Sequence, residues 1–273
     1  TPITTMSIGE DPDDATCVGD KLVVVSEDTE SLHYAYKEDI LDGTETWVEV
    51  TTGFVASRGP RAISSADPRN TWIVGAGGYV YYTEDPTSGV EVQSAGATTA
   101  QDLNDVDAFN SQVVVAVGNS NAVIYTTNGG ASWSSVTGPA VGVNLTVVSC
   151  RSEKEWWVGT ANGRLYVTVD QGSHWTEISF PGNGSGEIKD MVWASNTVGF
   201  MAHKTSTPTG RILRTISGGN SWFVVPEGAG SIPANRSINA LAVCHKEVNV
   251  LYAAGLASGG ADGIIIKGSA TYA

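Results

Sequence analysis

The turn Thr126–Trp133, TTNGGASW, recurs at Thr168–Trp175 as TVDQGSHW and at Thr215–Trp222 as TISGGNSW. Aligned on its third residue, the series runs back through Asp85 to Asp42, so equivalent positions fall at 42, 85, 128, 170 and 217. The intervals are 43, 43, 42 and 47 residues. A chain that returns to one polar turn so regularly is built from one repeated supersecondary unit. The first two copies are worn. Thr44 and Thr87 stand where later copies have Gly130, Gly172 and Gly219, and Val90 replaces the tryptophan that the others keep as Trp47, Trp133, Trp175 and Trp222.

Each period has the same internal order. In residues 103–137 an alternating segment, LNDVDAF, precedes an apolar run, QVVVAVG. A polar gap follows, then VIYTT, the turn, and SWSSV. These are β-runs punctuated by turn residues, and no sustained helical period appears. The apolar second run occurs six times, at 21–26, 71–76, 113–118, 155–160, 198–203 and 250–255. Four strands in about 43 residues is the arithmetic of a propeller blade. The expected fold is all-β: a single domain, 1–273, forming a six-bladed β-propeller of four-stranded antiparallel blades. The blades fall at about 13–54, 55–96, 97–139, 140–182, 183–228 and 229–273. The last unit lacks a fourth run, and a spare one, PITTMSI, stands at 2–8. Closure of the ring by this N-terminal strand is expected, since it covers an open sheet edge.

Composition narrows the function. The formal net charge is -14, with 15 Lys and Arg against 29 Asp and Glu. That excludes nucleic acid and anionic membrane as natural partners, because both demand cationic surface. No run is long enough for a membrane span, and the N-terminal segment lacks the basic start and apolar middle of a signal peptide. A cytoplasmic place and a virion or extracellular one fit equally. The three cysteines, Cys17, Cys150 and Cys244, are widely spaced and read as free thiols rather than disulfides or metal ligands. No cofactor and no metal site is expected. The acidic stretch EDPDD (10–14) reads as a solvated loop, and DLNDVD (102–107) is oxygen-rich without the spacing of a calcium loop.

The turn itself is a folding device. Its Asn or Asp accepts neighbouring backbone N–H groups, its Gly takes positive φ, and its Trp covers an apolar seam. The copies resemble the Asp box, Ser/Thr-x-Asp-x-Gly-x-Thr-Trp, of the BNR-repeat propellers, a superfamily that includes sialidases and repeats of the photosystem II assembly-factor type. Asn128 replaces the Asp in one copy and Ser217 in another, and His174 replaces the Thr in a third. The resemblance implies a structural role for Asp42, Trp47, Asp85, Asn128, Gly130, Trp133, Asp170, Gly172, Trp175, Ser217, Gly219 and Trp222.

A sialidase of this superfamily needs three arginines for its substrate carboxylate, a Tyr–Glu nucleophile pair and an Asp acid/base. The Arg-Ile-Pro string that opens that family's first blade is absent; the nearest is RGPRAI, with Arg58 and Arg61. Arg164 and Arg236 complete the arginines expected on the ligand face. The connecting loops are short. The resulting expectation is a non-enzymatic member, a protein-interaction or structural module of the assembly-factor or virus-particle type. The alternative is a glycan-binding or sialidase-like glycoside hydrolase.

Overall fold

The middle of each second strand is apolar because neighbouring sheets pack against it. The computed structural model describes residues 13–139, 141–205, 210–226, 236–243, 250–257 and 263–269. Its first sheet is β1 (Asp14–Val18), β2 (Lys21–Ser26), β3 (Ser31–Tyr36) and β4 (Val48–Val50). The second is β5 (Pro60–Asp67), β6 (Asn70–Gly75), β7 (Tyr79–Thr83) and β8 (Glu91–Ala95). The third is β9 (Leu103–Ala108), β10 (Val114–Gly118), β11 (Ala122–Thr126) and β12 (Ser134–Thr137). The fourth is β13 (Leu145–Cys150), β14 (Trp156–Thr160), β15 (Leu165–Thr168) and β16 (Thr176–Ile178). The fifth is β17 (Glu187–Trp193), β18 (Gly199–Lys204), β19 (Gly210–Thr215) and β20 (Phe223–Val224). A sixth sheet has three strands, β21 (Arg236–Val243), β22 (Val250–Ala257) and β23 (Gly263–Ser269).

All pairings within these sheets are antiparallel, in the meander order of a propeller. The described residues thus hold five four-stranded blades, not the six expected. Among the described residues the sixth sheet has three strands, and none pairs with the outer edge of β23. The strand expected to fill it, at residues 2–8, lies outside the described residues, as does Cys244.

Five hydrophobic clusters fill the seams between successive sheets. In β10 and β14 every residue is buried, whereas all but one residue of β12, on the outer rim, are exposed. The meander gives two faces. One carries the hairpins between first and second strands and the turns between third and fourth; we call it the turn face. The link face carries the other connections.

The repeated turns share one hydrogen-bond pattern. The hydroxyl of Thr126 accepts the N–H of Gly130 at 2.9 Å and that of Asn128 at 3.2 Å, while Asn128 Oδ1 accepts the Ser132 N–H at 3.0 Å. Thr168 and Thr215 accept from Gly172 and Gly219 in the same way, at 2.9 and 3.0 Å. Asp170 Oδ1 accepts the His174 N–H at 2.9 Å, and Ser217 Oγ that of Ser221 at 3.0 Å. In the second unit Asp85 Oδ1 accepts only from Thr87, and Val90 is buried in the first seam. In the first unit a short helix, α1 (Lys37–Asp42), replaces the turn and is capped by Gly43 at φ 71°. Asp42 is its exposed last residue, and Trp47 beyond it is half-buried.

Candidate functional site

A channel of about 580 Å³ is bordered by residues from the first strands of all six sheets, and four aspartates line it. Neighbouring first strands belong to different sheets and share no ladder. Their backbone N–H groups therefore need partners from elsewhere, and side chains of the adjacent blade supply them. Asp14 Oδ2 on β1 accepts the Ile63 N–H of β5 at 2.8 Å. Asp105 Oδ2 and Asp107 Oδ2 on β9 accept the N–H groups of Val148 and Cys150 on β13, each at 2.7 Å. Asp190 Oδ2 on β17 accepts the Leu241 N–H of β21 at 2.5 Å. The two junctions between these are held by hydroxyls. Ser64 Oγ accepts the Ala108 N–H at 3.1 Å, and Thr146 Oγ1 donates to the Ile188 carbonyl at 2.6 Å.

All four carboxyls are surrounded by protein yet keep part of their surface open to the channel. Desolvation is the largest effect on each. It pushes Asp14 and Asp107 up to about 6 and Asp190 up to about 7, and raises Asp105 well above the usual carboxylate range. Mutual repulsion adds to this, since Asp105 feels Asp14, Asp190 and Asp107. The water-facing surface of each carboxyl moderates the effect. Arg151 sits at the turn-face end. Its guanidinium lies 4.0 Å from the centre of the Trp193 ring and bonds Glu155 at 2.7 Å.

The link-face end of the axis is a second hollow of about 450 Å³, lined in part by Asn104, Asn119, Asn144, Thr146 and Asn239. Among the described residues no cluster of three or more His, Cys, Asp or Glu side chains has the geometry to hold a metal ion.

The arginines of interest are placed apart. Arg61 on β5 bonds Glu27 at 2.7 and 2.9 Å and Asp102 at 3.0 Å, so it ties three consecutive units on the link face. Arg164 is held by Glu177 at 2.7 Å within the fourth sheet. Arg58 is exposed and lies 5.2 Å from the centre of the Tyr79 ring. The side chain of Arg236 lies outside the described residues. Arg61→Ala is expected to cost about 1–2 kcal/mol, because the three-way contact is half-exposed and charge-assisted. A lowered urea midpoint with an unchanged m-value checks this.

Trp133 and Trp175 are half-buried and Trp222 is buried, each in the seam toward the preceding sheet. The axial aspartates were not legible as a site. EDPDD was expected to be a solvated loop, but its last residue opens β1 and points its carboxyl into the channel. The available signal was the run DLNDVDA, where Leu103 and Val106 are buried and Asp105 and Asp107 stand on either side of Val106.

No protein-family model matches the chain, and no curated protein sequence matches it. The fold is similar to that of YCF48 from Cyanidioschyzon merolae, with a TM-score of 0.66 at 14% identity over 93% of this chain and 80% of that one. A GH74 enzyme from Niastella koreensis gives 0.67 at 16% identity, over 89% of this chain. This chain spans 40% of that enzyme's length. A structure of YCF48 bound to D1 peptide gives 0.50 at 14% identity, over 95% and 93%. At such identities the likeness is one of fold, a β-propeller.

Proposed function

We propose that this chain is a single, non-catalytic β-propeller that presents a surface to a protein partner, as an interaction or structural module of a larger assembly. We take its repeated turns to be Asp boxes, and the module to be of the assembly-factor or virus-particle type. One observation carries the reading: the groups an enzyme of this fold would need are occupied. Arg61 is neutralised by carboxylates of the two neighbouring units and Arg164 by one of its own, and each axial carboxyl accepts a backbone N–H from the next blade. YCF48 with its bound peptide is an instance of this fold engaging a polypeptide.

A second reading, glycan binding or glycoside hydrolysis, draws on the channel and its raised carboxyls, since a proton-holding carboxyl is what a general acid requires. The first reading is favoured because no pair of axial carboxyls is free of structural bonds. Cross-linking in the native source and rebinding of the purified pair is expected to give a stoichiometric protein complex. Fluorogenic sialosides and other glycosides, assayed from about pH 5 to about pH 8 where such acids work, are expected to be left intact. Turnover, or retention on an oligosaccharide array without any protein partner, contradicts the proposal.

A further inference from the structure

All four axial carboxyls come from the first, third and fifth sheets, and together they hold alternate junctions: first to second, third to fourth, and fifth to sixth. The fourth-to-fifth junction rests on Thr146, which does not titrate in the accessible range, while at the second-to-third junction Ser64 accepts the Ala108 N–H and also bonds Asp107. Four like-charged groups share one confined channel, in a chain whose formal net charge is already -14.

We propose that this cluster makes the propeller an acid-tightened ring, whose carboxyl-held junctions are firm while the cluster carries protons and loosen together as it ionises. The physical basis is simple. A protonated carboxyl still offers an oxygen lone pair to the backbone N–H of the next blade, in a weaker bond than a carboxylate makes but without the carboxylate's charge. An ionised one adds its charge to three others that line the same channel. Charges facing the cluster do not cancel it. Arg151 is the one cation among the residues lining the channel, and it is already engaged with Glu155; the Cys150 thiol beside it is pushed far up by burial. At the link-face end stand Asp13, Glu187 and Lys189, with Lys189 tied to Glu187 at 2.8 Å. Arg61, which also acts on Asp13, is tied to Glu27 and Asp102.

The sign follows from proton counts. The axial carboxyls are raised, so between about pH 4 and about pH 7 the folded chain holds more protons than the unfolded one. Stability from this source is present at low pH and is lost as pH rises through that window. Asp170, held down to about 2 by His174, and Asp20, Asp67 and Asp85 act oppositely, and their contribution disappears only below about pH 4. The melting temperature is therefore expected to peak near pH 4–5 and to fall by several degrees toward pH 8.

The test has two arms. Melting curves across that range are recorded for the intact protein, for Asp107→Asn, and for the surface control Glu38→Gln on α1. Asp107→Asn keeps an oxygen for the Cys150 N–H and removes one axial charge; it is expected to flatten the fall, while the control, which removes equal net charge, leaves it. Calorimetric unfolding of the intact protein at about pH 6, in two buffers of different ionisation enthalpy, is expected to show net release of more than one proton per molecule. His203, whose proton affinity burial lowers, takes up part of a proton on unfolding and is included in that figure. A melting temperature flat from about pH 5 to about pH 8, equal slopes for Asp107→Asn and the control, or net proton uptake overturns the proposal.

Discussion

Trp222→Ala is expected to lower the free energy of unfolding by about 3–5 kcal/mol, the cost of removing a large buried aromatic from a packed seam. Trp222 is 3% exposed and fills the cluster between the fourth and fifth sheets with Trp157, Met201 and Leu213. Its ring meets Trp193 edge-on at 5.9 Å, and Trp193 in turn lies 5.3 Å from Trp157. The alanine variant leaves a void that neighbouring β-strands cannot collapse to fill. Trp175 is half-buried and donates its Nε1–H to the Thr137 carbonyl at 3.0 Å; its replacement is expected to cost less, about 1–3 kcal/mol. Urea unfolding followed by circular dichroism ranks the two. Equal, negligible effects would mean that the repeated tryptophans do not seal the seams.

The second large effect is expected at Gly219, where Gly219→Val should cost about 3–5 kcal/mol through overpacking together with a left-handed backbone. Gly219 has φ 90°, and a Cβ there would stand 2.1 Å from the Trp157 ring, which is itself wedged in the seam. Gly142 supplies the control. Its φ is 74°, but nothing lies within 4 Å of a Cβ at that site, so Gly142→Val should cost only the backbone part, about 1–2 kcal/mol. Measuring both by denaturant midpoint separates steric contact from dihedral strain. Equal costs would mean that the turn does not press on the preceding blade.

These two sites show what was readable in the chain. The turn residues act on neighbours within four positions, as when Thr215 binds the Gly219 N–H, so their chemistry is visible in eight letters. The second strand of the third unit faces a seam on each side, and VVVAV (113–117) stays apolar throughout for that reason. The axial carboxyls have the opposite property. Asp105 meets Val148, and Asp190 meets Leu241, across 43 and 51 residues of chain, and nothing local marks an aspartate as a partner of the next blade. The same holds for Arg61, whose carboxylates Glu27 and Asp102 lie on either side of it in sequence and meet it only through the blade arrangement. Helix α1 was hidden because KEDILD is too short to display a period.

The axial carboxyls hold neighbouring blades together. Amide hydrogen exchange at Ile63, Val148, Cys150 and Leu241 tests this most directly. These N–H groups lie beside a water-accessible channel and have carboxyl acceptors from the preceding blade. At about pH 5, where the axial cluster holds protons, they should exchange as slowly as the ladder amides of β10 and β14, and Asp107→Ala should speed Cys150 by at least about tenfold while leaving Ile63 and Leu241 unchanged. Exchange of all four at the rate of exposed loop amides, or a Cys150 rate indifferent to Asp107→Ala, would contradict it.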